Sequence, residues 1–175
     1  RLYRNGAPTQ ISSTGAYRGG NYSCNSFLTG YYSSSYEGQE LDIYATRTLT
    51  RQNNTNDVCV RMTHNVWTSC FREINVANTA IKSIGELPQT PALRTLIAEA
   101  KFFRAFNYFH LVKTFGGVPI NTVPTEELGV GNKPRDTAEA VYELVEKDLK
   151  EAIEVLPANS MINNGNRVGK STAQT

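Results

Sequence analysis

The sequence predicts a mainly α fold, stacked helical hairpins with an irregular, loop-rich amino-terminal segment. Three observations predict it. Residues 1–62 are rich in Ser, Thr, Asn, Gly and Tyr without a sustained 3.6-residue period, whereas residues 63–175 carry apolar positions three and four apart. Two of the periodic stretches then end in Gly followed by Pro, a pairing that stops helices. The apolar residues of the middle stretch also fall on more than one side of a helical wheel, so that helix needs neighbours on several sides.

In order along the chain, Asn5-Gly6 and Gly19-Gly20 mark turns. Seven of the nine tyrosines, Tyr3, Tyr17, Tyr22, Tyr31, Tyr32, Tyr36 and Tyr44, lie in this first segment. Tyrosine has an apolar ring and a polar tip, so such a segment can lie over a helical layer with its hydroxyls satisfied. From about His64 the pattern becomes helical. Trp67, Phe71 and Ile74 share one face, Asn78 and Ile81 continue the spacing, and Gly85 and Pro88 end it. At this spacing Trp67 reads as core. A second helix is expected from Pro91 to Phe115, before Gly116-Gly117-Val118-Pro119. Phe102, Phe103, Phe106, Tyr108 and Phe109 read as interhelical packing within it, and His110 as a hydrogen-bonded structural residue. For a third helix, Asp136 and Glu139 have capping-box spacing, and Val141, Leu144, Val145, Leu149, Ala152, Ile153 and Leu156 form one stripe before Pro157. Glu143 to Lys147 and Glu146 to Lys150 are favourable pairs on its wet face, each contributing roughly 0.2–0.5 kcal/mol. Residues 165–173 read as a turn and a further helix that the chain end cuts off. Residues 1–175 are thus expected to be a single partial domain, since hairpins of this kind bury their apolar faces only against further repeats.

Composition narrows function by exclusion. A formal net charge of +2, with 19% charged and 39% hydrophobic residues, is ordinary for a globular domain. Lys and Arg are scattered, so nucleic acid is not an expected partner. No apolar run approaches the roughly 20 residues of a membrane span. The chain starts at Arg1 without a signal-like stretch, so a signal peptide or lipid-bearing Cys is expected outside this sequence. Cys24, Cys59 and Cys70 have no CxxC spacing; three separate thiols are expected, and a Cys59–Cys70 bridge stays open. His64 and His110 lack metal-binding spacing, and Glu37, Glu40 and Asp42 read as solvated loop charge. No nucleophile, acid pair or metal constellation points to catalysis, so the expectation is a binding protein without cofactor or metal, not an enzyme.

The stretch from Ala98-Glu99-Ala100-Lys101-Phe102-Phe103-Arg104-Ala105 through Asn107-Tyr108-Phe109-His110-Leu111-Val112 to Phe115-Gly116-Gly117-Val118-Pro119 resembles the signature helix of SusD/RagB proteins. Trp67 to Ile84, with Ile74, Ala77, Asn78 and Ile81, resembles the helix that precedes it in that family. Val141-Tyr142 through Asp148-Leu149-Lys150-Glu151-Ala152-Ile153 to Leu156-Pro157 resembles the one that follows, and Gly165 to Ala173 resembles the opening of the next repeat. The resemblance implies a tetratricopeptide-like scaffold belonging to a lipid-anchored, surface-exposed outer-membrane lipoprotein. It further implies pairing with a SusC-like TonB-dependent transporter and capture of oligosaccharides or, in some members, peptides.

Ligands in that family are usually held by irregular segments laid over the helices. Glu40-Leu41-Asp42-Ile43-Tyr44-Ala45-Thr46-Arg47 resembles the stretch leading into a ligand-contacting loop, here Thr48 to Asp57. The candidate ligand-binding residues are Tyr44, Arg47, Arg51, Asn53, Asn54 and Asp57. Amides, guanidinium and carboxylate offer paired donors and acceptors in fixed planes, which suits sugar hydroxyls. The loop lacks the Trp with which glycan-binding relatives stack on sugar rings. That departure keeps open a peptide ligand, or a sugar site completed by residues outside this sequence. From a different class, an intracellular helical-repeat module binding a protein segment is the alternative.

Overall fold

The structure of the protein is a computed structural model. It describes residues 57–128, 133–158 and 167–174, with side chains at His64 and from Val66 onward. The chain falls into two units, Arg1–Cys70 and Phe71–Thr175. Its described elements are α1 (Asp57–Gly85), α2 (Pro91–Phe115), a 3-10 turn (Thr125–Glu127), α3 (Ala138–Val155) and α4 (Lys170–Gln174). Among the described residues there is no strand, as the mainly α reading requires.

The first unit contributes the amino-terminal part of α1. That helix starts at Asp57, a full two turns before the His64 start expected from periodicity. Val58 and Val60 are β-branched and the 57–63 stretch has no apolar stripe, so local pattern gives no sign of helix there. The expected ligand loop therefore gives up its last residue, Asp57, to α1. Val66, Ser69 and Cys70 are buried, the last as a thiol. Trp67, expected in the core, is only half-buried.

In the second unit the remainder of α1 runs antiparallel to α2, as two cross-helix contacts show. Phe71 meets the Tyr108 ring edge-on at 6.4 Å, and Asn78 bonds Arg104. Helix α2 occupies the predicted span. Thr90 caps its start, its hydroxyl accepting from the Leu93 amide at 3.3 Å, and Pro91 needs no amide partner in the first turn. Its end is Gly116 at φ 69°, a left-handed value that costs glycine little, with the Gly116 amide donating to Val112 O at 2.9 Å. As expected of an inner helix, α2 buries residues around much of its circumference, including Ala100, Ala105, Tyr108 and Leu111 at 0% exposure. Phe109 is the exception at 39%, so the prediction of packing for that ring is corrected. Lys113, one turn on, is exposed as well, and its ammonium lies over the Phe109 ring at 4.9 Å.

Helix α3 lies antiparallel against α2, and α4 packs on α3. Ala98 and Phe102 of α2, Ala152 and Leu156 from the end of α3, and Val168 and Ala173 form one buried cluster, with Phe103, Leu149 and Ile153 packed on it. Burying each large apolar side chain contributes about 1.5–3 kcal/mol before the conformational entropy of ordering it is subtracted. The cap of α3 differs from the sequence expectation. Thr137, not Asp136, accepts from the Ala140 amide at 3.2 Å. Asp136 lies one residue too early and its carboxylate is engaged elsewhere. Of the two expected wet-face pairs, Glu146–Lys150 forms at 3.0 Å.

After α2 the chain returns across α1 and α2 as a strap, Val118 to Thr125, extended until Thr125 opens the 3-10 turn. Val118 is fully buried, whereas Thr122, Val123 and Thr125 are exposed. Gly117, where the strap begins, is in close approach to the backbone at Asp136. Among the described residues no helix is long and apolar enough to cross a membrane.

Candidate functional site

The polar residues inside the helical stack converge on Arg104. Its Nε donates to Asp148 Oδ2 at 2.7 Å and its Nη2 to Asp148 Oδ1 at 2.8 Å, a two-pronged pair joining α2 to α3. Asp148 is 1% exposed and Arg104 7%. Nη1 donates to Asn78 Oδ1 of α1 at 2.9 Å and, at a longer 3.4 Å, to Thr122 O of the strap. A charge pair this deep is tolerated because every prong of the guanidinium has a partner.

The strap is held by side chains along its length. Asn78 Nδ2 donates to Asn121 O and Val123 O, both at 3.0 Å. The Tyr108 hydroxyl donates to Asn121 O at 3.0 Å and accepts from the Asn121 amide at 2.7 Å. Burial pushes the Tyr108 hydroxyl up to about 12, which keeps it protonated and able to play both parts. Asn75 Oδ1 accepts from the Thr125 amide at 2.7 Å, and Asp136 Oδ2 from the Ile120 amide at 2.7 Å. Lys133 donates to Ile120 O. Arg135 donates to Phe115 O at 3.0 Å and Gly117 O at 3.2 Å, placing a cation at the negative end of α2.

Two further pairs fasten the far side of α2. Glu99, 2% exposed, accepts from Arg167 Nε at 2.7 Å, and Lys101 pairs with Glu151, whose carboxyl it holds below its ordinary range. Two titratable groups are displaced by burial. Desolvation raises the Glu73 carboxyl, against a smaller opposing pull from Arg72, and its buried Oε2 has no hydrogen-bond partner. Desolvation, helped by Lys113, lowers His110 to about 4. The His110 ring meets Phe106 edge-on at 4.5 Å, in keeping with its structural reading. Among the described residues no three His, Cys, Asp or Glu side chains converge as metal ligands.

The sequence-predicted ligand residues fall almost wholly outside the described structure. Tyr44, Arg47, Arg51, Asn53 and Asn54 lie outside the described residues, and of Asp57 only the backbone, as the first residue of α1, is described. Cys24 likewise lies outside, as does the Cys59 side chain. What sequence reading missed is the network around Arg104. The signal was present: Glu99 and Arg104 sit on a helix otherwise apolar on several sides, and Asn78 occupies a position in the apolar spacing of α1. Buried charges of that kind imply partners.

The motifs that carry the family resemblance are thus wired to one another. Glu99 and Arg104 of the signature helix reach Arg167 and Asp148 of the two later motifs, and Asn78 of the earlier one. This makes the signature the internal fastening of a helical-hairpin scaffold, and defines the class as an all-helical scaffold protein. Residues 9–174 match the SusD-like family model described as "Starch-binding associating with outer membrane". The chain belongs to the SusD-like family. Among curated proteins it is 37% identical over 89 residues to the SusD-like protein P38 and 32% identical over 93 residues to the SusD-like protein P2, both of Formosa agariphila. Those matches cover 49% and 52% of this chain but 17% and 18% of the relatives. Among solved structures, a SusD superfamily protein from Parabacteroides distasonis superposes with a TM-score of 0.81 at 23% identity, covering 99% of this chain and 36% of that one. A laminarin-binding SusD-like protein superposes with a TM-score of 0.72 at 26% identity, covering 99% and 38%. The chain therefore spans a little over a third of these solved relatives.

Proposed function

We propose that this chain is part of the ligand-capture component of an outer-membrane glycan uptake system, working with a SusC-like TonB-dependent transporter. The observation that carries the reading is the family match over residues 9–174, whose description is starch-binding and outer-membrane association. A laminarin-binding relative of the same fold at 26% identity supports an oligosaccharide as the ligand class. In this reading residues 1–175 are one amino-terminal part of a longer fold. The protein sits on the cell surface through a lipid anchor outside the sequence. It binds and hands over its ligand and catalyses nothing.

The helices supply the scaffold, because the buried charges of Glu99, Arg104 and Asp148 are paired within the helical stack. Ligand contact falls to Tyr44, Arg47, Arg51, Asn53, Asn54 and Asp57. The absence of Trp from residues 48–57 favours a peptide as the second reading. A glycan array and a peptide library screened against the full-length protein test both. The expected result is retention of an oligosaccharide that Asn53→Ala and Asp57→Ala each weaken. Peptide binding alone replaces the first reading with the second. A full-length protein that fractionates with cytosol and brings down no transporter overturns both.

A further inference from the structure

We infer that the strap from Val118 to Thr125 is a fixed element keyed to the docking of α3 through Arg104, not a loop that opens and closes. The inference rests on how the strap satisfies its backbone. An extended segment crossing a helical pair has no ladder partner, and buried backbone groups without partners are costly. Here helical side chains take that part. Tyr108 covers the backbone amide and carbonyl of Asn121, Asn78 reaches the carbonyls of Asn121 and Val123, and Asn75 takes the Thr125 amide.

The orientation of those side chains is set from α3. Asp148 engages Nε and Nη2 of Arg104, which fixes the plane of the guanidinium and aims Nη1 at Asn78. Because Asn78 Oδ1 accepts from Nη1, its Nδ2 must face the strap, where it donates twice. A flipped Asn78 amide would set its Nδ2 donor against Arg104 and its carbonyl against two strap carbonyls. The order of dependence is Asp148, then Arg104, then the strap, directly at Thr122 O and through Asn78 at Asn121 O and Val123 O. Asp148 has no hydrogen bond to the strap, and the hydrogen-bonded route from Asp148 to it runs through Arg104. Arg104 is a positioning residue. The outcome is a preformed surface on which Thr122 and Val123 are held outward.

Hydrogen exchange on the full chain tests this without any ligand, so its result stands apart from the proposed capture role. In Asp148→Asn the amides of Asn121 and Thr125 are expected to lose protection by about tenfold or more, while amides in the middle of α2 lose much less. Unchanged protection at Asn121 and Thr125 overturns the inference, and so does a loss of the same factor in strap and helix. Should Asp148→Asn fail to fold, Arg104→Lys serves. It keeps a cation beside Asp148 and removes the fork that aims at Asn78. Selective loss in the strap supports the inference, and native protection there overturns it.

Discussion

An added Cβ at Gly117 would stand 2.1 Å from the Asp136 carbonyl oxygen and 3.2 Å from its carbon. Both atoms are backbone, so neither can swing aside. Gly117→Ala is expected to destabilise the fold by about 1–3 kcal/mol in urea denaturation, through overpacking alone. Gly85→Ala is the control, since nothing lies within 4 Å of its added Cβ; its effect is expected within about 0.5 kcal/mol. His110 contributes pH dependence between its ordinary and its folded value. Its ordinary value is 6.5 and the folded value about 4, lowered by burial and then by Lys113, so the unfolded chain takes up the proton first. The stability contributed by neutral His110 is complete above pH 6.5 and is lost as pH falls through 4. His110→Gln is expected to flatten this part of the urea midpoint against pH, and a midpoint curve as steep as the native one would refute the assignment. Neither feature was legible in sequence. Gly117 reads as half of a turn pair, and only the approach of Asp136 from 19 residues away reveals why alanine does not fit.

At the scale of elements, the two termini of α3 show what local pattern can and cannot fix. Its end at Leu156, before Pro157, follows from the missing amide and fixed backbone of proline. Its start was misread by one residue, because Asp and Thr are both good caps and stand side by side. The tie is broken by the strap, whose Ile120 amide draws Asp136 away. Thr137→Ala is therefore expected to cost about 1 kcal/mol and to fray the first turn of α3 by hydrogen exchange. Asp136→Ala should instead release the Ile120 amide and leave that turn protected. The reverse pattern would restore the capping box. Helix α1 is the opposite case, starting two turns before its apolar stripe, where the valines Val58 and Val60 carry no local helix signal.

At the scale of the described molecule, four motifs read as separate in sequence prove to be one connected set. Glu99 reaches Arg167 across 68 positions, and Arg104 reaches Asp148 across 44. Their spacing along the chain carries no trace of this, because helical periodicity reports which face is apolar and not what lies opposite. The sequence by itself determined the helical class, the span of α2, the inner position of that helix and the family. Those follow from apolar period, Gly and Pro stops and residue motifs, all of which are local. Only the tertiary structure decided which side chains share the core. It showed that the charged residues of the signature hold the helices together, and that the segment after α2 is a strap fastened by Tyr108, Asn78 and Asn75. Those are partnerships between distant residues, and a buried charge or an extended backbone acquires its meaning only from the group that satisfies it.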